Sequence, residues 1–234
     1  PIEVNENAVV MLLLKGYTAP QIQEKTNLKP QQIYKIKYKY NLGYHINPTF
    51  NFDDLQNQIL LSGILGDGNY KPNGKYGYYY RESHAEDQMQ YLKWKADKLS
   101  EFISKSGVHE IKGRGYNKQK LYEFITRTSS SFAIYAEMPL EDIIKNLDIR
   151  GLILFYLDDG WLTEHKNILI CGGALTLKQK ELIINKFQEY GLQSCHLTKR
   201  EEFAFSSKEY NIIKEYALNF LPNDLDVVTK KFKF

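Results

Sequence analysis

Two stretches of this chain share an uncommon form: an apolar run of helical length that ends in an acidic residue and a glycine. Ile59, Leu60, Leu61, Ser62, Gly63, Ile64, Leu65, Gly66, Asp67, Gly68 is matched by Leu152, Ile153, Leu154, Phe155, Tyr156, Leu157, Asp158, Asp159, Gly160. A helix that is apolar on all sides must be buried. A carboxylate at the foot of such a helix is costly unless a cation or hydrogen bonds compensate it. Side-by-side packing would bring Asp67 and Asp159 together, and Ser62, Gly63 and Gly66 are small enough to let the backbones approach. Like charges that close repel, and a hard divalent cation with oxygen ligands relieves the repulsion. The plainer reading is that both residues merely form turns, since Asp-Gly is a common turn pair. Duplication after a buried helix favours the first reading, with the glycine letting the backbone turn out of the helix.

Composition narrows the class. The chain has 234 residues, 43% hydrophobic and 25% charged, which is ordinary for a globular protein and excludes a disordered one. No apolar run reaches the roughly 18 residues of a membrane span, and no basic-then-apolar leader follows Pro1. Cys171 and Cys195 cannot build a disulfide framework, and with His165 and His196 they lack the spacing of a zinc site. An intracellular, reducing location is expected, cytoplasmic in a bacterial or phage host and organellar in a eukaryote.

Charge is unevenly placed. Residues 1–50 hold six Lys against three Glu, and no acidic residue lies between Lys25 and Phe52. The run Ala8 to Leu14 reads as a short buried helix closed by Gly16, Thr18 caps a second helix carrying Ile22, and Pro30 opens a third carrying Ile33 and Ile36. Three short helices in this span have helix-turn-helix spacing. The third offers Gln31, Gln32, Lys35, Lys37 and Lys39. Amides pair with adenine edges and lysines neutralise phosphates; a merely solvated basic face is the alternative. Residues 44–52 then read as a linker between this module, residues 1–43, and the main body.

With the two acid-tipped helices, the pattern resembles the single-chain LAGLIDADG homing endonucleases, whose signature helix occurs twice. After the first motif, Tyr76 to Arg81 alternates like a strand and Ser83 to Lys95 looks like the next helix. After the second, Thr176 to Gln179 leads into a helix over Lys180 to Tyr190. The resemblance covers roughly residues 53 to 234. It implies an α+β fold built as a pseudo-twofold repeat of two αββαββα halves, residues 53–140 and 141–234, with saddle-shaped antiparallel sheets, plus the small all-α module. Strands are expected over Asn69 to Tyr80, Gly107 to Phe132 in pieces, Ile168 to Gly173, and Gln193 to Phe205.

The resemblance also implies a chemistry. Asp67 and Asp159 would ligate metal, one from each half, with the backbone carbonyls of Gly66 and Asp158 as secondary ligands. Mg²⁺ would be the cofactor, with Mn²⁺ as a substitute and Ca²⁺ supporting binding without cleavage. The partner would be a long double-stranded DNA site cut once on each strand to leave short 3′ overhangs, by a monomer that needs no protein partner. On the saddle, Asn69, Lys71, Lys75, Tyr78, Tyr80, Arg114, Lys118, Lys199 and Arg200 are the expected DNA contacts. Three departures stand out. Leu154 and Phe155 face the places of Ser62 and Gly63, Ala136 stands where members carry a lysine ahead of a proline, here Pro139, and the second lysine would be Lys230 or Lys231 after Pro222. A DNA-binding regulator without catalysis and an RNA splicing cofactor on the same fold stay open as alternatives.

Overall fold

Side-chain caps set the starts of the main helices. The computed structural model describes residues 5–40, 42, 49–111 and 120–232. At the N-terminus, Asn5 accepts the Ala8 N–H at 3.2 Å to open α1 (Glu6–Leu14), and Gly16 follows it at φ 77°. Next, α2 (Ala19–Thr26) ends at Asn27, φ 54°, and α3 (Pro30–Lys39) begins where the Gln32 side chain accepts the Lys29 N–H at 2.9 Å. Val9, Leu13, Ile22, Ile33 and Ile36 form a small core of their own, as the spacing of apolar residues requires.

The body holds the same order of elements twice. The first half runs α4 (Asp54–Leu65), β1 (Gly68–Pro72), β2 (Tyr78–Ala85), α5 (Met89–Lys98), β3 (His109–Ile111), β4 (Leu121–Ile125), α6 (Ala133–Ala136) and α7 (Leu140–Asn146). The second runs α8 (Ile149–Asp159), β5 (Gly160–Leu162), β6 (Ile168–Ile170), α9 (Leu177–Glu189), β7 (His196–Leu197), β8 (Phe203–Phe205), α10 (Tyr210–Leu218) and α11 (Asp226–Phe232). The sheets have the orders β1-β2-β4-β3 and β5-β6-β8-β7, antiparallel throughout. This is the expected α+β pseudo-repeat with an added helical module.

One boundary differs from the sequence reading. Ser83, His84 and Ala85 belong to β2, not to a helix, because the ladder with β4 continues through Ala85↔Leu121; α5 starts only at Met89. Cross-strand pairing overrides the local helical appearance of that segment.

A single hydrophobic cluster spans both halves, and its centre is the packing of α4 against α8. At their N-terminal ends the Gln58 amide ties the helices together, donating to the Asn146 carbonyl at 3.1 Å and accepting the Asp148 N–H at 2.9 Å. At their C-terminal ends, a Cβ on Gly66 would lie 2.5 Å from Asp158 Oδ2, so the glycine is what permits that approach. Gly63 serves differently: a Cβ there would lie 2.0 Å from the Tyr80 hydroxyl of β2. The C-terminal helix crosses back to the first half, where the Asp226 carboxylate accepts the Gln90 and Tyr91 N–H groups at 2.9 and 3.2 Å and caps α5. The N-terminal module meets the body through Arg127, whose guanidinium lies 4.9 Å from the Tyr17 ring and 5.2 Å from that of Phe50 and donates to the Lys15 carbonyl.

Gly63→Ala is expected to cost ~1–3 kcal/mol, the usual penalty for overpacking a dense core. Urea unfolding measures it, and Tyr80→Phe in the same background should recover part of the loss.

Candidate active site

The two motif helices deliver their acids to one place. Asp67 follows the α4 cap Gly66, Asp159 is the last residue of α8, and both lead directly into a first strand. The motif glycines are needed for space, not for a left-handed turn: Gly160 has φ −101°, and a Cβ would lie 2.2 Å from Tyr156 Cδ2 there and 2.2 Å from the Tyr80 hydroxyl at Gly68. An aromatic ring thus occupies the space beside each acidic turn.

The electrostatics follow from crowding. Burial, and then the charge of Asp158, push the Asp67 carboxyl up to about 6, although 38% of its side chain is still exposed. Burial, then Asp67 and Asp158, push Asp159 up to about 6 as well. Asp158 thus disfavours the charge on Asp67, and Asp67 and Asp158 that on Asp159, which is the condition a cation relieves. Gly66 and Asp158 place their carbonyls at the converging helix ends, where helices leave acceptors without intrahelical partners.

Beneath this pair lies a buried polar network that the sequence reading did not find. Lys95 of α5 reaches Glu82 at 2.5 Å and Asp158 at 2.8 Å, and all three side chains are fully buried. Glu82 also accepts from the Tyr80 hydroxyl at 2.5 Å and contacts His84 Nε2 at 2.7 Å. The other ring nitrogen, His84 Nδ1, is 3.3 Å from Asp67 Oδ2. Burial opposes the charge on Glu82, but Lys95 and then His84 hold its carboxyl below the ordinary range. Burial likewise opposes an imidazolium at His84, yet the Glu82 hydrogen bond and charge raise its pKa. The signal that could have found these groups was the alternation Tyr80, Glu82, His84 on the inner face of β2; ending that strand at Arg81 hid it.

Two lysines were candidates at the C-terminus, and the structure separates them. Lys231 is buried, donates to the carbonyls of Tyr156 and Leu157 at the end of α8, and is pushed down to about 8 by burial, with Asp158, Asp159 and Asp67 acting in the opposite sense. Lys230 instead pairs with Asp87 at the surface and is not brought to the acids.

The expected DNA contacts also sort by placement. Asn69 and Lys71 are exposed on β1, and Lys199 and Arg200 on the turn between β7 and β8. Tyr80 is a correction: it is 0% exposed, because strand alternation turns it into the core. Tyr78 hydrogen-bonds Glu137 at 2.9 Å. The outward residues of β2 are Tyr79 and Arg81, opposite Lys71 and Asn69, one residue out of step with the sequence reading. Trp161, 40% exposed, stands opposite Leu169 on the second sheet. Arg114 and Lys118 lie outside the described residues, as does the side chain of Lys75. On α3, Gln31, Tyr34, Lys35 and Tyr38 form an exposed stripe at helical spacing; Gln32 is used as a cap, Lys37 is half-buried, and Lys39 pairs with Glu6 at 2.6 Å. An open cleft of about 440 Å³ lies at the opposite ends of α4 and α8, between Asp54, Gln58, Asp148 and Arg150, away from the acids.

A duplicated α+β half whose two acid-tipped helices meet at the repeat junction defines a pseudo-symmetric protein with a cluster of carboxylates at that junction. The LAGLIDADG DNA endonuclease family model matches residues 57–212, and the chain belongs to that family. The structure of the homing endonuclease I-WcaI bound to its DNA recognition sequence superposes with a TM-score of 0.66, covering 91% of this chain and 97% of that one at 18% identity, a likeness of fold. Two curated proteins, both named Protein RecA, are similar in sequence: that of Mycolicibacterium chitae is 32% identical over 114 residues, and that of Mycolicibacterium flavescens 28% over 113. Each match takes in 47% of this chain, and the chain spans 27% of the length of each relative.

The raised carboxyls set a sign for stability. Between the unfolded carboxyl pKa of roughly 4 and the folded value of about 6, the native state holds more protons than the unfolded one, so stability falls as pH rises through that window. Without divalent metal, Asp67→Asn should match the wild type near pH 4 and exceed it above pH 6. After discounting for exposure the gain is on the order of 1 kcal/mol, or ~2–4 °C in Tm. Thermal unfolding across pH measures this, and added Mg²⁺ should stabilise the wild type more than the variant.

Proposed function

We propose that this chain is a site-specific homing endonuclease that binds a long double-stranded DNA site and hydrolyses one phosphodiester on each strand with divalent metal, leaving short 3′ overhangs. The observation that carries the reading is the convergence of Asp67 and Asp159, each raised to about 6 by burial and by neighbouring carboxylates. A retired site has no reason to keep two such costly groups. Mg²⁺, with Mn²⁺ as a substitute, suits carboxylate and phosphate oxygens and lowers the pKa of a bound water. Asp67 and Asp159 would hold it, with the Gly66 and Asp158 carbonyls beside them. Lys231, buried at the end of α8, would stabilise charge building on the phosphate at the second half.

DNA would lie across the outer faces of the two sheets, meeting Asn69, Lys71, Tyr79 and Arg81 on one and Trp161, Lys199 and Arg200 on the other. The α3 stripe of Gln31, Tyr34, Lys35 and Tyr38 would extend the footprint in an adjacent major groove. The I-WcaI structure, of the same fold, is of a complex with its DNA recognition sequence, which supports this placement.

The test is cleavage of a randomised duplex library in Mg²⁺ with sequencing of new ends. Wild type is expected to give discrete double-strand ends, and Asp67→Asn and Asp159→Asn to lose at least ~100-fold in rate while still binding. Ca²⁺ should permit binding without cutting. Affinity should fall steeply with salt as counterions are released. Tight binding without cutting in Mg²⁺ would indicate the regulator, and preference for intron RNA the splicing cofactor.

A further inference from the structure

The two halves furnish their acids differently, and strand register shows how. Gly68 of the first motif pairs with Glu82, and Gly160 of the second pairs with Ile170. Two residues further on, the first half has His84 and the second has Gly172. The Glu82–His84 pair therefore has no counterpart in the second half, where Ile170 and Gly172 stand. Among the described residues, only the first half brings a ring nitrogen to its acidic helix end.

That nitrogen is oriented as a ligand is. His84 Nε2 is committed to Glu82 at 2.7 Å, and Glu82 is itself held by Lys95 at 2.5 Å. A histidine whose far nitrogen donates to a buried carboxylate is the usual arrangement of a metal-bound imidazole. Its Nδ1 then faces oxygens, Asp67 Oδ2 at 3.3 Å and the Gln88 side-chain oxygen at 3.0 Å, and a cation bound there would displace any proton that Nδ1 carries. Ligand atoms of Asp67, His84 and Asp158 lie within 4.8 Å of one another. Neighbouring ligands on an octahedral ion with bonds of ~2.1 Å are about 3 Å apart, so the Asp67–His84 spacing fits one ion. Lys95 fixes Asp158 through both carboxylate oxygens at 2.8 and 3.1 Å, and each such oxygen carries a second lone pair.

We propose that the Asp67 half of the centre holds its divalent ion through the Asp67 carboxylate, His84 Nδ1 and the Asp158 carboxylate, while the Asp159 half is an all-oxygen site served by Lys231. The inference rests on the reading of Asp67 and Asp159 as metal ligands and adds that the two sites differ in ligand chemistry. Imidazole suits first-row transition ions such as Fe²⁺, Ni²⁺ and Zn²⁺, whereas an oxygen shell suits Mg²⁺ and Mn²⁺. The strand served by Asp67 should respond more strongly than the other to exchange of Mg²⁺ for Ni²⁺.

Pulsed EPR of Mn²⁺ bound to the full chain without DNA tests this directly. A ¹⁴N coupling is expected in the wild type, replaced by ¹⁵N coupling when histidine alone is labelled, and lost in His84→Leu. In that variant Lys95 and Tyr80 still hold Glu82, and the labelling arm needs no substitution at all. One class of Mn²⁺ site should weaken by ~10–100-fold in the variant, with the other unchanged. An all-oxygen signal in the wild type, or a coupling that survives His84→Leu, overturns the proposal. Because no cleavage is measured, a nitrogen-ligated ion on a chain that cuts nothing would leave this inference standing and sink the endonuclease reading instead.

Discussion

The packing of α4 against α8 is the constraint from which the remainder follows. Both helices are buried in one cluster shared by the two halves, so neither half can complete its core alone. Burying them side by side brings two acidic turns together in a region partly removed from water. The free energy of apolar burial thus holds carboxylates in a place that their own charges disfavour. The surrounding polar groups answer that conflict. Lys95 balances Glu82 and Asp158 below the pair, and Lys231 approaches from the other side on the carbonyls of Tyr156 and Leu157.

Lys95 gains its place from topology. It lies on α5 of the first half, and one of its partners lies on α8 of the second. Removing a partner from a buried ion cluster leaves an uncompensated charge, so the three groups stand or fall together. The same cross-half logic appears at Asp226, which caps α5 from the C-terminal helix. Pseudo-symmetry governs the strands and helices, while the ties between halves are one-sided. The two helices are themselves unlike, with Ser62 and Gly63 on one where Leu154 and Phe155 stand on the other.

Much of this was legible in the residues. The duplicated apolar run ending in Asp-Gly identified the central helices and the acids, because full burial and a terminal carboxylate are written in consecutive positions. The N-terminal helices were legible from Gly16, Thr18 and Pro30, whose conformational preferences are local. What was not legible depends on register. Whether Tyr78 and Tyr80 or Tyr79 and Arg81 face outward is decided by the pairing of β2 with β1 and β4, and a single-residue slip exchanges the two faces. Glu82, His84 and Lys95 were missed because their chemistry depends on distant partners: Lys95 and Asp158 are joined across 63 residues. Lys230 and Lys231, adjacent in sequence, point to a surface aspartate and to the centre of the protein, a distinction set by the rotation of α11.

The return of α11 to the first half also fixes an order of assembly. Asp226 reaches Gln90 across 136 residues, and Lys231 reaches Tyr156 across 75. Contacts so distant in sequence form late, after loop closure has brought the chain ends together. A chain emerging N-terminus first completes both acidic turns before the segment carrying Lys231 exists. The nascent protein therefore has its carboxylates in hand well before its buried amine. The buried amine joins the carboxylates only once synthesis has passed residue 231.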